Sequence, residues 1–565
     1  MRTTVWMAAA AALLLASLPA RAQLTAALDA VPDDAMGVVF VKNIGEGSAK
    51  LSALSKRANF PAFDALAEAK KDLGVDKGLD EKGTLIIALF AGDPEPIPII
   101  FAPVSDYDGF IKQLKPGKAA DGITDLGVGR SVVGKKAGFA VFAEAKNRDI
   151  LKKVLVAKKS VADSLQPVSA WLEKTDAGAA LNARGMKELT KHLITQLGQA
   201  KAALANAPEE AQIFATWLDG LEGMLKSAGT DVSQMAWGVQ YKQESGDLVL
   251  AKRAVFVKDS GWAKAGAAIK SPDGGVLAGL PGGEFLVAGG GALPESFMQS
   301  MSNFGFQSLK GQLGADKVKK LEEITARNFQ GVESMSMVMG LGKENAPLFS
   351  GTVSIMKIKD AKDYLDNYAK GIDEMDKIFK DANAPAMPRY SAKKVKVGDL
   401  EAVEMTTDMS AMAAADPNLK RAFEAMFGQG AKLVASVALV DKNTVAMSYV
   451  PAKEMKGIVA AIKKKSPGLS AEAEVKKTAA LLLDDPQWLL YVNPGGFVEF
   501  TTRLIRAAAP IAIPIPAYPK SPPVGMAVKI DGAGLEARLA MTGSAIESLG
   551  VYIQKVRALA GGNVN

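Results

Sequence analysis

The stretch GRSVVGKK, Gly129 to Lys136, comes within one residue of a phosphate-binding loop. That loop reads G-x-x-x-x-G-K and then Ser or Thr, whereas the last position here is Lys136. Its chemistry needs a strand, the loop, and then a helix whose free N–H groups receive the phosphates. The flanking residues predict something else. Apolar alternation runs through Val128 and Val132 and resumes at Phe139 and Val141, the pattern of two paired strands. The segment is expected to be a hairpin, with Lys135 and Lys136 exposed at its turn and no helix N-terminus behind them.

Other catalytic and metal-binding sets are scarce. The chain has one histidine, His192, and no cysteine. This removes zinc sites of the His/Cys type, Cys–His catalysis and the two-His metalloprotease helix. A Ser–His–Asp triad would have to run through His192, and no G-x-S-x-G elbow is present. His192 falls on the polar side of a helical stripe and reads as a surface residue. Two carboxylates suffice for glycosidase chemistry. The pairs Asp33-Asp34 and Asp484-Asp485, however, stand where strands begin and read as turns. Asp360, Asp363 and Asp366 have helix spacing and read as a solvated first turn, without the calcium-loop pattern.

Methionine is the more suggestive residue. Met335, Met337 and Met339 alternate, so a strand would point all three to one face. Thioethers can bind Cu(I), or line an adaptable apolar surface, or fill a core. Core filling is the plainest reading, contact with an apolar ligand comes next, and copper last. No cofactor is expected.

The N-terminus reads MRTTVWMAAAAALLLASLPARAQ. A positive Arg2, a short apolar run and Ala20-Arg21-Ala22 form a secretory signal cleaved before Gln23. No later run is long and apolar enough to span a bilayer. Residues 1–22 are thus expected to be a signal peptide, and the protein to be exported, to a periplasm or a cell surface. Without cysteine, an exported chain must draw its stability from buried core. The formal charge of +7 is small for 565 residues, and no long basic stripe interleaved with aromatics is present. Nucleic acid is not expected as a partner.

The chain also repeats itself. VPDDAMGVVFV aligns with LPGGEFLVA at the distance from Pro32 to Pro281, and VVGKKAGFAVFAEAK with LVDKNTVAMSYVPAK at that from Val132 to Leu439. Gly246-Asp247 likewise matches Ala533-Gly534. Two related halves, 23–273 and 274–565, are expected. The growth of the offset places roughly 50 to 60 extra residues near 371–432.

Each half reads as serial hairpins around Gly/Asp turns, followed by helices. Asp106, Asp259 and Asp360 are placed to cap helices. Met186, Leu189, Leu193 and Leu197 form one helical stripe, and Trp217, Leu218, Leu221 and Leu225 a second. The pair predicts a helical hairpin packed on the sheet. In the second half, prolines between Ala512 and Pro523 replace its second helix. The fold class is α+β, each half mainly antiparallel sheet with helices packed on one face.

The export signal, P-D-D-A before V-V-F-V-K-N (Val31–Asn43), and the hairpin–helix layout resemble secreted bacterial proteins of the Planctomycetes type, the DUF3352-like families of unknown function. The resemblance implies export and fold and carries no site residues. The expected function is an exported, non-enzymatic binding or structural protein, with an envelope protein, a polymer or a lipid as partner. The alternatives are a carrier of an apolar, lipid-like ligand touching Met335, Met337 and Met339, and a carboxylate-based hydrolase.

Overall fold

A computed structural model describes residues 23–559 and 561, except 94, 128–129, 205–208, 295–312, 345, 382–387, 414–416, 465–467 and 509–513. The expected signal peptide, and Gly129 of the loop-like stretch, lie outside the described residues. The protein is α+β, with antiparallel pairing between all strands named below.

The chain divides into two compact units: Met1–Gln199 with Leu221–Ala268 and Ile530–Gly550, and Ala200–Gly220 with Ile269–Lys529 and Val551–Asn565. The strands of the first are β1 (Gly37–Val41), β2 (Leu85–Phe90), β3 (Ile97–Pro103), β4 (Pro116–Ala120), β5 (Ile123–Leu126), β6 (Ser131–Lys136), β7 (Phe139–Glu144), β8 (Ala177–Leu181), β9 (Val232–Lys242) and β10 (Asp247–Phe256). Their pairings give the order β4-β5-β6-β7-β3-β2-β1-β8-β9-β10. The strands that follow are β11 (Phe285–Ala292), β12 (Val332–Gly340), β13 (Val353–Ile358), β14 (Arg389–Val397), β15 (Leu400–Asp408), β16 (Lys432–Asp441), β17 (Thr444–Ser448), β18 (Trp488–Val492), β19 (Val524–Ile530) and β20 (Gly534–Met541). In the second unit the order is β14-β15-β16-β17-β13-β12-β11-β18-β19. Strand for strand this is the order of the first unit. β20 pairs with β10 and belongs to the first unit.

Single hydrogen bonds recur with the order. Asn182 N–H donates to the Met36 carbonyl, and Asn493 N–H to that of Leu286. Lys42 N–H donates to Asp176 and Ala292 N–H to Gln487; Val161 N–H donates to Val31 and Leu469 N–H to Leu280. The greater length of the second set is spread along the chain between β13 and β16. It lies in the helix Ala361–Asp381, the nine-residue strands β14 and β15, and the helices Ser410–Ala413 and Pro417–Phe427. In the first set the corresponding helix is Tyr107–Gln113, and β4 and β5 have five and four residues.

Helices lie on both faces of the sheets, not on one. Val38, Phe40, Ile86, Phe101 and Val141 form a core with the helices Gln23–Leu28, Arg148–Val156 and Ala162–Leu172. On the other face Val41, Leu85, Ala102 and Phe142 pack with Ile44, Leu66 and Phe110 of three further helices. In the second unit Met356, Val403, Val437 and Val445 lie under Ala361–Asp381, while Ala402, Ala438 and Ala446 lie under Ala452–Lys463. The reason is visible in the strands. VVFV and LIIALF are apolar without alternation, as strands covered on both sides must be.

The expected helical hairpin forms from Ala183–Leu204 and Glu209–Asp231. Its root joins the core, through Met186, Ala228 and Val232 against Ala254 and Phe256. Beyond that root Leu189, Leu193 and Leu197 are half-buried. Asp106 and Asp360 cap their helices. Asp259 does not, because it lies one residue before the cap position; Ser260 holds that position and accepts the N–H of Ala263. The proline stretch from Pro514 to Pro523 has neither helix nor strand. It ends docked, with Pro522 and Pro523 buried and the Pro523 carbonyl accepting from Thr478 Oγ1 at 2.7 Å.

Candidate functional site

The loop-like stretch is built as a hairpin. Lys136 pairs with Phe139, and Ala137 and Gly138 make the turn, both with positive φ. The lysines therefore end the strand instead of forming the turn. Lys135 is exposed, with its ammonium 5.4 Å from the Tyr107 ring centre. Lys136 is half-buried, and its Nζ donates to the carbonyls of Val154 at 2.5 Å and Ala157 at 3.1 Å. Those carbonyls close the helix Arg148–Val156, so Lys136 serves a helix C-terminus. That end carries partial negative charge and repels a phosphate. A Cβ on Gly134 would lie 2.4 Å from the Leu155 side chain, which fills the space a phosphate would need. Burial pulls the Lys136 ammonium below its ordinary range.

The acidic pairs are in the open. Asp33, Asp34, Asp484 and Asp485 are exposed at turns. Asp363 is exposed, and Asp366 is ion-paired with Lys394. Among the described residues no three His, Asp or Glu side chains converge to hold a metal ion. His192 is exposed, 2.8 Å from Gln196 Nε2.

Sequence reasoning missed one buried ionic cluster in the first unit. Lys50 is fully buried, with Nζ 3.1 Å from Glu46 and 3.9 Å from Asp176, itself 2% exposed. Asp176 also accepts the Tyr241 N–H at 2.6 Å. Lys42 donates to the Glu173 carbonyl at 2.9 Å. Burial pulls the Lys42 ammonium below its ordinary range, against the carboxylates of Glu173 and Asp176. The cluster ties the end of β1, the start of β8 and the helix Ile44–Arg57 together, with Lys50 and Asp176 closed to solvent. The signal for it was Lys42 continuing the alternation of Val38 and Phe40.

The three methionines occupy one face of β12, as alternation requires, and all three are half-buried. On one side β11 sets Gly291 opposite Met335 and Gly289 opposite Met337. On the other side β13 sets Met356 opposite Met335 and Ser354 opposite Met337. β17 then sets Met447 opposite Ser354. One step further along the same registers, Met339 leads to Thr352 and Thr352 to Tyr449. The glycines leave that part of the floor without side chains. The Trp488 indole covers Gly291, its Nε1 donating to the Ala292 carbonyl at 2.7 Å.

Along the floor from Met335, the helix Ala361–Asp381 seals the core. The Tyr364 hydroxyl reaches Met356 Sδ at 3.8 Å, and that of Tyr368 reaches Met405 Sδ at 3.5 Å. Burial pushes the Tyr368 phenol up to about 12. Toward Met339 the covering is looser. Phe349 sits 5.7 Å from Phe427, 5.5 Å from Phe500 and 6.4 Å from Tyr449, centre to centre. All four rings are half-buried, and no residue of the helix Pro417–Phe427 is buried. The spacing of Phe423, Met426 and Phe427 in AFEAMF could have shown this helix face in the sequence.

The face thus offers thioethers and rings, which accommodate apolar molecules of varied shape. Compared with family models, with curated proteins and with solved structures, the chain matches none.

Proposed function

We propose that this chain is an exported, non-enzymatic binding protein built from two copies of one ten-strand module, and that its second copy holds an apolar, lipid-like ligand. The duplication is supported by the repeated strand order and by the paired hydrogen bonds that recur with it. The binding reading rests on one observation. Met337 and Met339 on β12, and the clustered rings of Phe349, Phe427, Tyr449 and Phe500, are large apolar groups of which none is buried. Closed cores bury such groups, at roughly 25 cal/mol per Å² of apolar area. The exposed acidic turns and the solvent-closed Lys50–Asp176 cluster speak for binding over carboxylate hydrolysis. Export rests on the residues of the N-terminal leader. Leu24 and Leu28, just after the expected cleavage site, are completely buried.

The test is native purification from the exported fraction, followed by mass spectrometry of extracted small molecules. A co-purifying lipid, released by Met337→Glu, is the expected result. A folded protein with a clean spectrum that also fails to enhance the fluorescence of N-phenyl-1-naphthylamine would sink the reading.

A further inference from the structure

We infer that the ligand carries one uncharged hydrogen-bonding head group and that Thr352 receives it. This rests on the apolar-ligand reading above and adds the polarity of the ligand and its orientation. Thr352 is 3% exposed, and its Oγ1 is buried without a hydrogen-bond partner. Its backbone is fully engaged: its N–H donates to the Phe349 carbonyl and its own carbonyl accepts from Ser448 Oγ at 2.7 Å. Thr352 shares the face of Ser354 and Met356, so the hydroxyl points to the methionine side of the sheet. Along the registers of β12, β13 and β17 it stands between Met339 and Tyr449, where the covering is loosest. A buried hydroxyl without a partner is costly, and native proteins keep few of them.

The charges nearby fix the kind of head. Arg503 Nη1 donates to the Gly342 carbonyl and its Nε to Glu499, both at 2.7 Å. Arg421 donates to the Ala508 carbonyl and to Asn418. Glu424 accepts the Gly430 N–H. Arg503 is ion-paired with Glu499, Arg421 is exposed to water, and Thr352 itself is neutral. A carboxylate or phosphate set beside it would be desolvated without a counter-charge, which is strongly disfavoured. An alcohol or ester oxygen fits, with its alkyl chain lying along Met339 and Met337 toward Gly289.

The experiment displaces N-phenyl-1-naphthylamine from the full-length protein with decanol, decanoate or decane. Decanol should compete best. Thr352→Val should weaken decanol about tenfold and leave decane unchanged, while Thr352→Ser should retain decanol binding and show that the position tolerates change. Decanoate outcompeting decanol, or decanol unaffected by Thr352→Val, overturns the inference while leaving the apolar-ligand reading intact. A dye that does not bind, or that binds Met337→Glu as well as the wild type, overturns both.

Discussion

Ala251 on β10 lies directly opposite Arg538 on β20, and each is the fifth residue of its strand. The distance from Ala251 to Arg538 is also that from Asp247 to Gly534, the residues that open the two strands. The pairing of β10 with β20 thus sets residues at the same position of the two strands against each other. The register is independent of the strand order and supports the proposed duplication.

The pair makes a direct prediction. Opposite charges facing each other across antiparallel strands stabilise by about 0.2–1 kcal/mol, and like charges do the reverse. Arg538 already bonds Glu536 in its own strand, at 3.0 and 2.9 Å, so the gain will sit at the low end. Ala251 packs against the core, so both charged variants lose burial, and Ala251→Glu should keep a higher urea midpoint than Ala251→Arg. Equal midpoints for the two variants would mean that residue 251 does not face Arg538.

Lys136 should matter for stability and not for nucleotide. Losing a side chain that serves two terminal carbonyls costs on the order of 1 kcal/mol. Lys136→Met should lower the melting temperature, and ATP with magnesium should leave the wild-type melting curve in place. A nucleotide-dependent upward shift that disappears in Lys136→Met would overturn the hairpin account of GRSVVGKK.

The strands and their turns were legible in the sequence because hairpins are local: alternation and Gly/Asp turns lie within about ten residues. The covering of both faces was less so, although VVFV and LIIALF carried the hint in their missing polar positions. The methionine face could be read from spacing alone. Its partners could not, since Thr352, Phe427, Tyr449 and Phe500 come from distant segments joined by registers that periodicity does not specify. The same holds for Lys50 in its helix, whose partner Asp176 arrives from the distant turn before β8.

Lys50 and Asp176 should be energetically coupled. Removing one partner of a buried ionic cluster is destabilising by about 3–5 kcal/mol, because the other charge is left behind. Lys50→Met should unfold at markedly lower urea. Adding Asp176→Asn should restore part of the loss, since the stranded carboxylate is gone. Strict additivity of the two changes would show that the pair does not interact.

Glu404 offers a test by pH. Hydrogen bonds from the Lys393 ammonium and then from the Ala452 N–H hold its carboxyl below the ordinary value of 4.5. A group with a lowered folded pKa stabilises above its unfolded pKa, and that contribution is lost as pH falls through the folded pKa. Lys393 is largely exposed, so the effect should stay below about 1 kcal/mol. Glu404→Gln should be less stable than wild type at pH 7, and the gap should close in titrations below pH 4.5. A gap that persists at pH 2 would assign the loss to packing.

Gly290 sets the tightest demand on the floor of the candidate site. It lies in the middle of β11, between β12 and β18, with φ 148°. A Cβ built there would come within 2.0 Å of the Met335 carbonyl oxygen, a backbone atom that cannot turn aside. Relief requires β11 and β12 to separate, which breaks the ladder beneath Met335 and Met337. Gly290→Ala should therefore destabilise the fold by more than the roughly 1 kcal/mol of an ordinary glycine change in a strand. Gly398→Ala is the control. Gly398 also has positive φ, at 63°, but the atom nearest to a Cβ there is Lys456 Nζ, the end of a flexible side chain at 3.9 Å. The control should cost only the backbone strain. If chemical denaturation finds the two variants equally stable, β11 does not approach β12 as closely as described, and the methionine face is not the flat floor on which ligand binding depends.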